Sequence, residues 1–168
     1  MTERRILLVR HAKADRPDGV SDVDRPLTAR GHADAGAVGA WLAHREYRPD
    51  LVICSPSKRT RQTWHGIALG MADAAGDDAP SPEVDYRGEV YEGDDSDLLD
   101  LIQGIDDAVG TVMIIGHNPS VSDASELLDP ENGGDLRTSG IAVHGYEGPW
   151  DECGAGDAPL LETHTARG

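Results

Sequence analysis

The chain has 168 residues, a length that suits one domain with a sizeable core, and we expect residues 1–168 to form it. Hydrophobic residues make up 38% and charged residues 27%, as is common in globular proteins. The formal net charge of −16 argues against general binding to nucleic acid or to a membrane surface, because both need basic patches.

The sequence also lacks the features of a membrane-bound or secreted chain. No window contains the run of roughly 18 apolar residues that a membrane span needs. The apolar run at residues 6–9 is too short for the core of a signal peptide, so we expect a cytoplasmic protein. Cys54 and Cys153 lack CxxC spacing, which predicts neither a disulfide framework nor a cysteine metal site.

Short apolar runs alternate with amphipathic stretches along the chain. Three runs predict buried strands: 6–9, 51–54 and 112–115. Four stretches have the apolar spacing of helices: 29–45, with Thr28 as its N-cap, 57–72, 96–107 and 120–128. Three shorter segments predict further strands: 83–85, 141–146 and 160–164. This alternation predicts a three-layer α/β/α sandwich with a mostly parallel central sheet.

Three segments between these elements have the composition of loops. Residues 22–28 predict a polar loop, and residues 73–82 predict a flexible one. Residues 147–159 are rich in glycine and acidic side chains. The tail from there onward predicts either partial disorder or an added edge strand.

Each of the three buried strands is followed at once by side chains suited to binding phosphate. Arg10 and His11 follow the first strand, and Arg59 follows the second. His117 follows the third, within a Gly-His-Asn-Pro turn. Because ligands bind outside the carboxyl ends of strands in open α/β sheets, we expect these side chains to converge. A single arginine–histidine pair after one strand is most often structural. Suitable side chains after three strands, in equivalent positions, favour a shared site.

This set of side chains fits a phosphoryl group. The planar guanidinium of arginine can hold two phosphate oxygens at once. A neutral imidazole nitrogen is a competent nucleophile toward phosphorus, and a second, protonated imidazole can bind the charge on the transferring group. A helix that begins near Ser57 or Ser120 would add free backbone N–H groups. The pattern therefore predicts a phosphate-handling site at this edge of the sheet.

The same residues resemble the signatures of a known family, the histidine phosphatases or phosphoglycerate mutase-like proteins. Residues 8–12 (LVRHA) are similar to its Arg-His-Gly signature, with alanine in place of glycine. Residues 55–63 resemble its Ser-Pro-x-x-Arg-x-x-Gln-Thr segment, and residues 116–119 resemble its second-histidine turn. Residues 24–31 (DRPLTARG) resemble the short SixA-type branch, the phosphohistidine phosphatases. The resemblance implies a phosphoglycerate mutase-like fold over most of the chain.

The resemblance also implies a role for each conspicuous side chain. It implies that His11 attacks phosphorus and becomes a transient phosphohistidine. Arg10 and Arg59 would hold the phosphate oxygens, and His117 would stabilise the transferring phosphoryl group. Neither a metal nor an organic cofactor is implied.

Further candidate site residues come from the neighbouring segments. Asn118 follows the second histidine and is a candidate phosphate contact. Ser139 lies in a Thr-Ser-Gly segment that resembles a family segment near the phosphate, although a simple turn before a strand fits equally well. Glu89 is the candidate general acid for the leaving group, with Glu92 as the alternative. SixA-type relatives lack that acid, and both carboxylates also fit a solvated loop.

The function implied is a metal-independent phosphatase acting on a phosphomonoester or a protein phosphohistidine through a covalent intermediate on His11. Its partner would be a phosphorylated protein or a small phosphorylated substrate. We expect it to bind neither nucleic acid nor a membrane. Two alternatives stay open. One is a phosphoglycerate mutase, although 168 residues leave little room for its lid. The other is a catalytically silent phosphate-binding module on the same fold. The oligomeric state is open, with a monomer as one expectation.

Overall fold

The computed structural model describes residues 3–76 and 81–166, and the bounds below refer to those residues. They contain six strands: β1 Glu3–Arg10, β2 Leu51–Cys54, β3 Glu83–Tyr86, β4 Thr111–Gly116, β5 Gly140–Glu147 and β6 Leu160–Thr165. They contain five α-helices: α1 Ala29–His44, α2 Lys58–Ala75, α3 Gly88–Glu92, α4 Asp95–Gln103 and α5 Ser120–Leu128. Two 3₁₀ helices cover Asp22–Asp24 and Trp150–Glu152.

The strands form one sheet in the order β3-β2-β4-β1-β5-β6. The first four strands in this order pair in parallel, whereas β5 runs antiparallel to β1 and β6 runs antiparallel to β5. The sheet is therefore mostly parallel, as predicted. The carboxyl ends of β1, β2 and β4 lie side by side at one edge.

Helices cover both faces of the sheet. Ile6 and Leu8 of β1 pack in the core that includes the apolar side chains of α4 and α5. Leu7 and Val9, which point to the opposite face, pack in a second core with side chains of α1 and α2. All four β1 side chains are fully buried, which explains why this strand is a continuous apolar run. The three-layer α/β/α prediction is confirmed.

Helices α1 and α2 approach each other closely at glycine positions. The hydroxyl of Thr28 accepts a hydrogen bond from the Gly31 amide at 3.0 Å, which confirms the predicted N-cap of α1. A Cβ at Gly39 would lie 2.1 Å from the Ile67 carbonyl oxygen, so only glycine permits this contact. This packing fixes the position of α2, whose first turn carries Arg59.

The glycine- and acid-rich segment 147–159 is packed, so the expectation of partial disorder is wrong for it. Trp150 is fully buried, and its ring stacks on Tyr146 at a centroid distance of 5.8 Å. The alternative expectation, an added edge strand, is confirmed, because β6 lies at the edge of the sheet. A buried indole thus outweighs the loop-like composition around it.

Other boundaries differ by a few residues. Helix α2 continues to Ala75, and residues 77–80 of the predicted 73–82 loop lie outside the described residues. Helix α4 ends at Gln103 rather than at residue 107, and α3 was not predicted. Within the part of the chain that the structure describes, no helix combines the length and apolar character needed to cross a membrane.

Candidate active site

The predicted convergence of side chains occurs at the carboxyl ends of β1, β2 and β4. The His11 amide donates to the Gly116 carbonyl at 3.0 Å, which joins the ends of β1 and β4. The rings of His11 and His117 have centroids 5.4 Å apart. Arg59 reaches the same place from α2, with its Nη2 3.3 Å from Nδ1 of His117. Residues from three separate strand ends therefore meet around one point.

The His11 imidazole is held in one tautomer. Its Nδ1 lies 2.7 Å from the Ala12 carbonyl oxygen, which can only accept, so Nδ1 carries the proton in the neutral ring. Burial, together with the positive charges of Arg59 and Arg10, lowers the pKa of His11 from 6.5 to about 4. At neutral pH the lone pair of Nε2 is therefore available for nucleophilic attack.

The Ala12 backbone that orients His11 is itself anchored to α2. Its amide donates to Oγ1 of Thr63 at 3.0 Å, and that hydroxyl donates to the Arg59 carbonyl at 2.7 Å. Both Ala12 and Thr63 are fully buried. The orientation of the His11 ring is thus tied to the helix that carries Arg59.

In the site without a ligand, the contacts of His117 fit a neutral ring, and the protonated ring expected to bind the phosphoryl group stays a prediction. Arg59 can only donate, so Nδ1 of His117 accepts from it, and Nε2 donates to Oγ of Ser55 at 2.8 Å. Burial and the nearby His11 and Arg59 lower the pKa of His117 from 6.5 to about 3. The sequence could not indicate this state, because it depends on the guanidinium that α2 brings to the ring.

Three side-chain donors at this edge lack hydrogen-bond partners among residues 3–76 and 81–166. They are Nε of Arg10, Nε of Arg59 and Oγ of Ser139, and each of these atoms is buried. Unpaired buried donors are costly in a folded protein and call for an explanation. A bound phosphate would explain these unpaired donors, because its oxygens accept hydrogen bonds from such groups. Ser139 also adopts a positive φ of 61° while its amide donates to the His11 carbonyl at 3.1 Å, so the strained turn lies directly against His11.

Two residues that the sequence analysis did not assign reach the same site. The Asp22 carbonyl accepts from Nη1 of Arg59 at 2.7 Å, and its Oδ2 accepts from Nη2 at 3.1 Å. The Tyr91 hydroxyl donates to Oδ2 of Asp22 at 2.6 Å, and its ring meets His117 edge-on at 5.4 Å. These hydrogen bonds hold the pKa of Asp22 far below its usual value. No local pattern could pair Asp22 with Tyr91, since 69 residues separate them.

Asn118, the candidate phosphate contact, has its amide engaged elsewhere. Its Nδ2 donates to the Leu136 carbonyl at 2.8 Å, and its Oδ1 accepts from the Ser122 hydroxyl at 2.6 Å. The same Leu136 carbonyl accepts from Nη1 of Arg10 at 3.2 Å. The Asn118 side chain and Arg10 therefore bind the same backbone carbonyl.

The candidate acids Glu89 and Glu92 are both exposed, and Glu89 is engaged by an arginine. The Glu89 carboxylate is exposed and pairs with Arg87, whose Nη2 lies 2.6 Å from Oε2. This pairing lowers the pKa of Glu89, which disfavours the protonated form that a general acid needs. Glu92 is also exposed. The spacing Arg-x-Glu at residues 87–89 was a readable signal for the competing ion pair.

The chain is similar to known proteins along most of its length. The sequence profile of the histidine phosphatase superfamily (branch 1) matches residues 6–86, which include Arg10, His11 and Arg59. An uncharacterized protein of Mycobacterium tuberculosis is 34% identical over 169 residues, an alignment that covers 95% of this chain and all of that one. The similarity therefore continues well beyond the segment that the profile matches.

Two solved structures resemble this one closely. A protein assigned as the phosphohistidine phosphatase SixA of Nakamurella multipartitia has a TM-score of 0.81 and 29% identity, covering 99% of this chain and 98% of that one. A protein assigned as SixA of Agrobacterium tumefaciens has a TM-score of 0.76 and 29% identity, covering 96% and 97%. Both likenesses cover almost the whole chain.

Proposed function

Because this chain belongs to the histidine phosphatase superfamily, we propose that it is a phosphatase whose nucleophile is Nε2 of His11. The observation that carries the proposal is the state of that ring. Its Nδ1 proton is held by the Ala12 carbonyl, and its pKa is lowered to about 4. Among the described residues, Nε2 has no hydrogen-bond partner, so its lone pair is free to attack.

In the first step, the Nε2 lone pair of His11 forms a bond to phosphorus. The bond from phosphorus to the leaving group breaks, and the leaving group departs with the electron pair and takes a proton from solvent. Arg10 and Arg59 bind the phosphoryl oxygens, since both have an unpaired Nε at the site. His117 contacts the transferring group, and the phosphate dianion raises its pKa by offsetting the nearby cations.

In the second step, water attacks the phosphorus of the phosphohistidine. The phosphorus–nitrogen bond breaks, its electron pair returns to Nε2, and one proton of the water is released to solvent. Splitting the displacement into two steps lets one fixed nitrogen serve as both nucleophile and leaving group. The hydrogen bond from Nδ1 to the Ala12 carbonyl is kept throughout and stabilises the charge on the phosphorylated ring.

The favoured substrate is one with a labile leaving group, such as a protein phosphohistidine. The two carboxylates with shifted pKa values on this side of the sheet, Asp22 and Glu89, both have lowered values and are poor proton donors. The imidazole of a phosphohistidine leaves with less protonation than an alkoxide does. The likeness to two proteins assigned as phosphohistidine phosphatases supports this choice.

The positive charge for catalysis comes from the protein itself in this proposal. Two guanidinium groups converge on the phosphoryl position, which is the charge that metal ions supply in other phosphatases. Phosphate release is therefore expected to persist in EDTA.

The test compares wild type with His11→Ala in EDTA, on a phosphohistidine protein and on para-nitrophenyl phosphate. Loss of the nucleophile is expected to lower kcat by a factor on the order of 10⁴ or more. The control is His44→Ala, which removes an exposed histidine from the opposite end of α1. Full activity in His11→Ala contradicts the proposal. Faster turnover of the phosphohistidine than of the ester supports the substrate class.

A further inference from the structure

A second polar pocket lies beside the site that surrounds His11. It is a cavity of about 280 Å³ whose lining includes Lys13, Arg30, Arg137 and Asp34. We call it the basic pocket. None of these four side chains takes part in the phosphoryl transfer proposed above, so the pocket has no role yet.

Two backbone segments that line the basic pocket also contact or adjoin His11. Lys13 follows His11 by two residues, which places their Cα atoms within about 7 Å of each other. Arg137 precedes Ser139 by two residues, and the Ser139 amide donates to the His11 carbonyl at 3.1 Å. The backbone segments that carry Lys13 and Arg137 therefore both lie next to the His11 backbone.

The sheet places the pocket at the same edge as the phosphoryl site. Gly140 at the start of β5 pairs with Thr165 at the end of β6, and Thr165 lines the pocket. Val9, next to the carboxyl end of β1, pairs with Ile141 of β5. A substrate bound at the carboxyl end of β1 can therefore extend toward the basic pocket along this edge.

The charge of the pocket runs against that of the whole chain, which carries −16. Arg30 forms an ion pair with the buried Asp34 at 3.6 Å. The described lining contains three cationic side chains, Lys13, Arg30 and Arg137, and the single carboxylate of Asp34. The described lining is therefore positively charged, and a site with this charge favours an anion.

We propose that the basic pocket binds a second anionic group, a carboxylate or a phosphate, of the same substrate whose phosphoryl group meets His11. This inference rests on the proposed function, because that function places the phosphoryl group. The second anion is expected near the phosphoryl group, because the segments that line the pocket adjoin the His11 backbone. Its source is either a small phosphorylated acid or an acidic side chain next to a phosphorylated residue.

The experiment measures binding rather than turnover, in a His11→Ala background, by titration calorimetry. Glycerol 3-phosphate and 3-phosphoglycerate form a matched ligand pair that differs by a carboxylate in place of a hydroxymethyl group. We expect 3-phosphoglycerate to bind about tenfold more tightly, as one charge-assisted contact predicts. A parallel pair of phosphohistidine-analogue peptides, with glutamate or glutamine beside the analogue, tests the protein source.

The variants Lys13→Gln and Arg137→Gln are expected to bring the affinity ratio of each discriminating pair toward one. Lys13→Arg should keep the ratio, because it keeps the charge. Arg48→Gln is the matched control, since it removes an exposed cation before β2, at the opposite edge of the sheet. Discrimination in only one pair identifies the source of the second anion.

Equal binding within both pairs in the His11→Ala protein, or ratios unaffected by the pocket variants, overturns the inference. The proposed function fails in a different way, through absence of turnover in the protein with His11 intact. The binding ratios remain measurable in that case, so the two failures are distinguishable.

Discussion

Arg4 and Arg10 lie at opposite ends of β1, and they differ in how completely their side-chain donors are hydrogen-bonded. Arg4 at the amino end is 5% exposed and fully paired. Its Nε donates to the Gly148 carbonyl at 2.7 Å, and its Nη1 donates to the carbonyls of Asp107 at 3.0 Å and Val109 at 2.7 Å. Its guanidinium also lies over the Trp150 ring at 5.2 Å. The contacts of Arg4 are therefore structural, although Nε of the neighbouring Arg5 is buried without a partner among the described residues.

Arg10 at the carboxyl end is only partly paired. Its Nη1 donates to the Leu136 carbonyl at 3.2 Å, and its buried Nε has no partner in the described parts of the chain. The neighbouring His11 has a lowered pKa, and Ser139 is held at a positive φ. Arg4 therefore spends its donors on the backbone of its own fold, whereas Arg10 keeps a buried donor that a ligand could use.

Replacing Arg10 with methionine should give the largest loss of function in this comparison. We expect kcat/KM to fall by about 10²–10³, the range found when one preorganised donor to a transition state is removed. The free energy of unfolding should change by less than about 1 kcal/mol, because few of the native contacts of Arg10 are lost. Steady-state kinetics and urea denaturation measure the two quantities. A large loss of stability with normal kinetics contradicts the assignment.

Replacing Arg4 with methionine should give the reverse result. The variant loses three hydrogen bonds from a buried cation and its ion pair with Asp107, which is 3.5 Å long. We expect the free energy of unfolding to fall by about 3 kcal/mol. Values of kcat/KM should stay within about twofold of wild type under conditions where the variant is folded. If Arg4→Met impairs catalysis as strongly as Arg10→Met does, the two ends are not distinct.

The pKa of His11 reports how burial and nearby positive charges act on this ring at the carboxyl end of β1. Nitrogen-15 NMR of labelled histidine should show a neutral ring with the proton on Nδ1 well below pH 6.5, with protonation only at about pH 4. Because the folded value is lowered, stability is lost as the pH falls from 6.5 toward 4, where the unfolded chain binds the proton more readily.

The variants Arg10→Met and Arg4→Met test which positive charges lower the pKa of His11. Arg10→Met should raise the pKa of His11, because Arg10 is one of the cations that lower it. Arg4→Met should leave it unchanged, as its contacts lie at the other end of β1. A ring that titrates near 6.5 in wild type contradicts the account of the nucleophile.

Asp22 gives the smallest expected effect. Its carboxylate competes with an anionic ligand for Nη2 of Arg59. Asp22→Asn should therefore tighten competitive inhibition by inorganic phosphate by about threefold to tenfold, with the gain shrinking at high salt. Tyr91→Phe, which removes only the hydrogen bond to Asp22, should change the inhibition constant less. Weaker inhibition in Asp22→Asn means that Asp22 orders Arg59 instead of competing for it.

The sheet was largely predictable from the sequence because its central strands are buried on both faces. Residues 51–54 and 112–115 are continuous apolar runs, and the structure places strands there. Helix α5 has the predicted bounds, Ser120–Leu128. The buried Trp150 was missed because its partners, Tyr146 apart, are distant in the sequence, as the hydrogen bond from its Nε1 to the Val109 carbonyl shows.

The site was predictable where it follows strand ends and unpredictable where it depends on side-chain pairing. Arg10, His11, Arg59 and His117 converge because parallel strands end together. The engagement of Asn118 with Leu136 and of Asp22 with Arg59 depends on loop conformations that have no period or motif. The pairing of Glu89 with Arg87 was readable, because only one residue separates them.

Rapid quenching of the enzyme during turnover, followed by mass spectrometry of its peptides, tests whether the reaction passes through a phosphohistidine at His11. We expect one phosphoryl group to be trapped on the peptide containing His11, to be labile in acid and stable in base, and to be absent from His11→Ala. Turnover with no phosphorylated peptide, or with the phosphoryl group on another residue such as His117, would contradict it.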